Sequence, residues 1–592
     1  MRARPAGWRG ADESPQTSGS LVSHRLEVIG KLTAGMSMGI NYLIRKGYGK
    51  MKSHGTMKLL SVLAALMMLL AACTTNSASP SAVATEAPKT SEAAKTDAAA
   101  PTTEALKTVE VDFMWMSATW KPVTWGNDPV TKKMTEKTGV TFKCSAPSGD
   151  ADQIANVMLV SGDYPSTMCM GAGATFDKYV SAGAFVAVND LAAQYNFPGI
   201  MEQIPQKSQK VYRSDDGKLY GVPSWFSDDG FGTCGDGLVV RNDLYKGNGS
   251  PKFATLDEYY NYLVSIKNAN LTINGIPVWP MAFYMTSTNL NIVGEVANLY
   301  GSNIMGYKYY NTANKRVELS LRSPEIVKAL TFLNKCYTNG MIDPECFTFD
   351  RTKFDEAFCT GKYATVMGNY WALWNADAAL KAINPDMYYT VIDAPQGASG
   401  VKQYYGFYDT AGNMSFEVTK NCKEPEAVTR FIDYFLSDEG NILDFYGVEG
   451  QTMEFRDGKP YLMDGVYEAK LADFDGYGKK TGVRVFDVMM DATWNWERNV
   501  ESEVRSANRS MVMKYAFDGT YLKALSVDSS TDMGILNAEI SANLVAEFTK
   551  IILTKDSNQI EAMVKALLKN YEDKGLSKLE DEWSAQYAKL IN

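Results

Sequence analysis

The chain has 592 residues, 45% of them hydrophobic and 21% charged, an ordinary globular composition with length enough for two or more lobes. Its only histidines are His24 and His54, both ahead of Cys73, so a body beginning at Cys73 has no imidazole for a Ser-His-Asp or Cys-His nucleophile or a histidine-rich zinc site. Residues 1–72 hold ten Lys or Arg and three Asp or Glu, which leaves 49 basic and 65 acidic groups and a formal charge of −16 on the remainder, a surface that offers nucleic acid no basic stripe.

Met57-Lys58 leads into a 14-residue apolar run, Leu59 to Ala72, with Lys52 and Lys58 on its N-terminal side. The run is too short to cross a hydrocarbon core ~30 Å thick as a helix, and it fits the apolar part of a secretory signal. It ends in Leu70-Ala71-Ala72-Cys73, which resembles the bacterial lipoprotein signal, whose cysteine is acylated and becomes the first mature residue. Residues 51–72 are read as that signal and Cys73 as the lipidation site. Residues 1–50 are read as a start assigned too early, with Met51 or Met57 the initiator, or as an extended region ahead of the signal. From Thr74 to Lys107, 24 of 34 residues are Ala, Ser, Thr or Pro and none is aromatic. Such a segment buries too little apolar surface to offset its ordering entropy, so 73–107 reads as a disordered tether with a reach of roughly 30–35 Å.

From Thr108 onward strand and helix signals alternate, predicting an α/β body over 108–592. Val109, Val111 and Phe113 alternate as a strand does, and Val140 and Phe142 repeat the pattern after Gly139. Thr255-Leu-Asp-Glu258 is a capping box ahead of a helix through Ile266. Ser323-Pro324 opens a helix carrying Ile326, Val327, Leu330 and Leu333, stopped by Gly340. Pro425 opens another with Val428, Phe431, Ile432, Phe435 and Leu436 on one face, and the last stripe runs from Ile560 to Tyr571. These stripes are core faces. Seven cysteines remain besides Cys73, with no C-x-x-C spacing; Cys336 and Cys346 either bridge or stay buried thiols, the latter favoured.

Five segments in order resemble the extracellular solute-binding proteins of bacterial ABC importers, in the carbohydrate-binding lipoprotein branch. They are Ser161-Gly-Asp-Tyr-Pro165, Asp216-Gly-Lys-Leu-Tyr-Gly-Val-Pro223 with Leu238 to Asp243 as the following crossover, Phe358 to Ala364 running on to Gly368-Asn-Tyr-Trp371, and Thr419 to Ala427. The resemblance covers about Val109 to Gly458. It implies a two-lobed periplasmic-binding-protein-like fold (type II, maltose-binding-protein-like) with the ligand in an interlobe cleft. Lobe one is placed at about 108–225 and 391–418, and lobe two at about 226–390 and 419–592. The protein is then expected to be a monomer, lipid-anchored on the outer face of the cell membrane, that captures a carbohydrate and delivers it to ABC permease subunits.

Sugars present an apolar face and a rim of hydroxyls, so they call for a flat aromatic plus polar partners. The resemblance puts Trp371 and Tyr370 in the position where relatives stack a ring on the sugar, with Trp225 and Phe226 following the Y-G-V-P strand. Further candidates are Gly173 and Thr175 in a Gly-rich turn, Asp236 in the Gly-rich acidic stretch after the Y-G-V-P strand, and Trp494 and Trp496 in an aromatic and polar cluster. No cofactor and no metal are expected. The calcium loop of many relatives is replaced by Lys267 to Asn274, which has no carboxylate, and Asp473-Phe-Asp475-Gly476 lacks the rest of the spacing. The alternatives are an importer component for peptides or other solutes, a secreted glycosidase, which needs paired carboxylates, and an adhesin.

Overall fold

The computed structural model describes residues 106–117, 121–230, 234–283, 291–349, 351–495, 503–528 and 530–592. Cys73, the signal run, residues 74–105 of the tether, Trp120 and Trp496 lie outside the described residues.

Strand β1 (Val109–Trp115) buries Val111 and Phe113 and leaves Glu110 and Asp112 outside, as its alternation dictates. Helix α1 (Pro129–Thr138) is started by Asp128, whose carboxylate accepts from Thr131 N at 2.8 Å, and is closed by Gly139 at φ 70°. It delivers β2 (Val140–Ser145) parallel to β1. Then come α2 (Ala151–Ser161), β3 (Thr167–Met170), α3 (Ala174–Ser181) and β4 (Val222–Ser224). After β5 (Asp236–Arg241), Thr255 caps α4 (Leu256–Asn268) by accepting from Glu258 N at 3.2 Å. The Glu258 carboxylate reaches back to Ala254 N at 2.6 Å, one residue beyond the cap itself.

The chain continues through β6 (Trp279–Phe283), α5 (Asn291–Leu299), α6 (Ile326–Thr338), β7 (Tyr363–Asn369), β8 (Tyr389–Val391), β9 (Gly406–Tyr408) and β10 (Met414–Val418). It ends with α7 (Pro425–Leu436), α8 (Asp438–Tyr446), α9 (Phe474–Thr481), α10 (Glu503–Lys514), β11 (Ala516–Asp518) and the helices α11 (Asp532–Ile552), α12 (Ile560–Asp573) and α13 (Leu576–Ile591).

Two sheets carry two lobes. In the first the order is β2-β1-β3-β10-β4, with β10 antiparallel to both neighbours. In the second it is β8-β5-β7-β6, with β5 antiparallel to both neighbours. The reversed strand in each sheet is the one the chain enters from the other lobe. Phe113, Phe142, Phe431 and Phe486 pack in the first core, with Phe142 ring centroids 4.8 Å from Phe431 and 5.2 Å from Phe486. Tyr259, Leu330, Tyr363 and Trp583 belong to the second.

One expected boundary is corrected. Residues 425–490, placed in lobe two from the sequence, share the first core, with Val428, Phe431, Phe435 and Phe486 buried beside Val111 and Phe113. An amphipathic stripe says that a face is buried but not against which sheet, and α7 docks on α1 and β2. Residues 389–405 likewise stay with the second core, where Ile392, Ala394 and Tyr405 are buried, so the chain returns to lobe one only near β10.

Three segments run side by side where the lobes join. Trp225 N donates to Met490 O at 2.8 Å, Ala492 N to Phe226 O at 2.8 Å, Ser227 N to Thr410 O at 3.2 Å and Asn413 N to Ser224 O at 3.1 Å. Gly412, at φ 86°, is required here, because a side chain would run into the Ser224 carbonyl and Phe226 N. Asp409 is buried and accepts from Ala411 N and Gly412 N at 2.9 Å each, and Lys523 pairs with it at 2.7 Å.

Candidate functional site

Strand directions decide which sheet edges meet at the junction. β5 enters from lobe one, so its Asp236 end faces the crossovers; β7, antiparallel to it, places Asn369 there, and β6, parallel to β7, places Phe283 there. On lobe one, β10 starts at the junction with Met414, so the ends of β3 at Met170 and β1 at Trp115 face it too. These two edges frame the interlobe cleft.

On the lobe-two edge stands Trp371, 46% exposed, unusual for so large an apolar group. Its indole lies against Gly235, where any side chain would collide with the ring and with the Asn369 amide. Tyr370 is beside it, half-buried, with its N donating to Gly235 O at 2.9 Å. The structure therefore brings Trp371 and Tyr370 together at the crossover end of sheet two.

The other expected residues fare differently. Phe226 is 1% exposed inside the first core, so its ring packs the lobe and is corrected from ligand contact to core. Trp225, at φ 63°, is half-buried against Phe445, edge to face at 6.0 Å, with the Arg484 guanidinium 4.7 Å from its ring centre. Trp494 packs half-buried on the same core. Gly173 precedes α3 in the turn after β3, and the Thr175 hydroxyl is engaged with Asp152 Oδ1 at 2.7 Å on α2.

Asp236, offered from the sequence as a ligand contact, opens β5 and is 8% exposed, with its carboxylate beside Gly406 and near Glu295, which is 5% exposed. Its Oδ1 has no hydrogen-bond partner among the described residues. Burial raises the Asp236 pKa to about 6, and burial followed by the Asp236 charge pushes Glu295 well above the usual carboxylate range. Cys336 and Cys346 are free thiols at zero exposure, and burial pushes both above the usual thiol value.

A cavity of about 520 Å³ lies on lobe one, lined by Trp115, Lys121, Lys470, Lys479 and Arg484. It adjoins the crossover edge: Trp115 Nε1 contacts Met414 Sδ at 3.0 Å, and Ser224 Oγ donates to Asp487 O, in the cavity wall, at 3.1 Å. Sequence reasoning singled out none of these side chains, which come together from positions as far apart as Trp115 and Asp487. The available signal was Trp115 ending a strand whose alternation was already evident.

The family model for bacterial extracellular solute-binding proteins matches residues 122–442, more than half of the chain. This chain belongs to that family. Among curated relatives, Lipoprotein LipO of Bacillus subtilis (strain 168) is 23% identical over 349 residues, covering 56% of this chain and 65% of LipO, so the chain spans less than two thirds of that relative's length. Among solved structures, the S. pneumoniae ABC-transporter substrate binding protein FusA in complex with kestose is 15% identical with a TM-score of 0.63, over 82% of this chain and 99% of that one. An extracellular solute-binding protein from Bifidobacterium longum subsp. infantis is 16% identical with a TM-score of 0.65, over 83% of this chain and 100% of that one. At these identities the likeness establishes the two-lobed solute-binding fold.

Proposed function

We propose that the protein is the lipid-anchored, extracytoplasmic binding component of an ABC importer, which captures an oligosaccharide between its lobes and hands it to permease subunits without chemical change. The observation that carries the reading is Trp371, a large indole left 46% exposed at the crossover edge and seated on a glycine that admits no side chain. Stacking of an indole on the C–H face of a sugar is what such a placement serves. The kestose bound by FusA supports the ligand class. Closure of the two lobes on the ligand then follows from tighter binding to the closed form. Among the described residues, the contacts that span the lobes away from the hinge include exposed or partly exposed polar pairs, Ser526 to Asp177 at 2.9 Å and Lys589 to Asp215 at 3.2 Å, of the kind that resists opening only weakly.

A glycosidase would need two carboxyl groups flanking an open cleft; of the acids considered for that role, Asp236 and Glu295 are buried, Asp228 and Asp229 are exposed, and Glu497 lies outside the described residues. The test is thermal unfolding of the purified protein against neutral and acidic oligosaccharides, monosaccharides and short peptides. A bound ligand at 100 times its Kd stabilises by about 2.7 kcal/mol. Stabilisation by an oligosaccharide without its hydrolysis is the expected result, while stabilisation by peptides alone, or turnover of a chromogenic glycoside, would replace the reading.

The anchor is tested separately. Cys73→Ala is expected to release the body into the medium or to leave the signal uncut, and acyl label incorporated by the variant would remove Cys73 as the lipidation site.

A further inference from the structure

We infer that Asn369 is a specificity-determining residue of the cleft, whose side-chain amide reads the orientation of a hydroxyl on the saccharide held at Trp371; this rests on the carbohydrate reading and deepens it. Along β7 every position from Tyr363 to Gly368 is buried, and Asn369 is the first to come half out of the core. Asparagine is a poor strand former, so local propensity does not account for it there. Asp236, its register partner on β5, turns its carboxylate to Gly406. Gly368, just ahead of it, sits at φ 141°, a conformation that side chains rarely take, so the strand leaves its regular course where the amide emerges.

Among the described residues, the side chains of Asn369 and Trp371 have no hydrogen-bond partner. A Cβ on Gly235 would collide with both Asn369 Oδ1 and Trp371 Nε1, so an acceptor and a donor flank one bare backbone position. A single hydroxyl satisfies such a pair by donating to the amide oxygen and accepting from the indole N–H, and Asn369 Nδ2 offers a further donor to a neighbouring hydroxyl. The indole N–H lies in the plane of the ring, whereas a stacked sugar lies on its face. The hydroxyl concerned therefore belongs to the rim of the stacked unit or to the unit bonded to it. The two side chains then divide the recognition between them. Stacking depends on C–H surface and tolerates a change of epimer, while a hydrogen bond in a closed cleft does not, because the wrong epimer leaves the amide unpaired.

The test is calorimetric titration with 1-kestose, maltotriose, cellotriose and β-1,4-mannotriose, the last two differing only in the configuration at C2. The unaltered protein is expected to prefer one of the four over another by about tenfold or more, the scale of one well-placed hydrogen bond. Asn369→Ala should keep its thermal midpoint, weaken the preferred saccharide most and compress that ratio to about threefold or less. Asn369→Asp keeps the acceptor and should retain part of the preference. Trp371→Ala, by contrast, should weaken the panel together and preserve its order. Binding without a preference, a ratio unchanged in Asn369→Ala, or equal weakening of every saccharide by that variant overturns the assignment and leaves the carbohydrate reading standing. Failure of all four to bind removes the carbohydrate reading and the assignment with it.

Discussion

Trp371→Ala is expected to weaken saccharide binding by about 1–3 kcal/mol, roughly 5- to 150-fold, while leaving the folded body nearly as stable as before. The asymmetry comes from where the ring sits. An indole that is 46% exposed leaves no sealed cavity when truncated, so the several-kcal/mol penalty of a core deletion does not arise. The binding loss has two parts, the stacking contact and the apolar surface that the sugar would have covered. Calorimetric titration and urea unfolding on one sample separate the effects, and a loss of about 3–5 kcal/mol in stability with unchanged affinity would make Trp371 a packing residue. Gly235→Ala provides an independent check, because the added methyl group displaces the indole without removing it. It should weaken the same ligand through misplacement.

Local signals in the sequence are faithful where the responsible contacts are local. The alternation of Val111 and Phe113, the Thr255 cap, and the stripe from Ile560 to Tyr571 each follow from neighbours within one or two turns or pleats, and each appears as expected. The motif run ending in Gly368-Asn-Tyr-Trp371 also led to an aromatic pair at the crossover edge. What could not be read locally depends on which distant surface a face meets. Phe226 and Trp371 are both aromatic residues just past a strand, yet one is 1% exposed and the other 46%, because Phe226 is clasped between the Thr410 and Asp491 segments. Residues 425–490 carry a stripe equally suited to either sheet. The lobe-one cavity joins Trp115 and Lys121 to Lys470, Lys479 and Arg484 from the far end of the same lobe, and no local stretch shows that these two segments meet.

The largest stability effect is expected at Asp236. Burial raises its pKa from 3.8 to about 6, and Glu295 is raised beside it, so between those pH values the folded state holds protons that the unfolded chain has released. Stability therefore falls as pH rises from about 4 to about 6 on account of Asp236, and Glu295, raised well above the usual carboxylate range, carries the fall beyond that window. A shift of this size corresponds to on the order of 3 kcal/mol at neutral pH. Asp236→Asn removes the charge in nearly the same volume, and its amide can donate to Glu295, whose own ionisation no longer meets a second carboxylate. The variant should gain up to that amount in urea unfolding at pH 7.5, and the gain should shrink as the pH is lowered and disappear near pH 4. A variant that gains nothing at pH 7.5, or gains equally at both pH values, would mean that the Asp236 carboxyl is not held in its acid form by burial. Because the pair sits under Gly406, where β9 leads into the returning crossover, a gain in stability accompanied by slower ligand release would tie its strain to the mobility of the hinge rather than to the cleft surface.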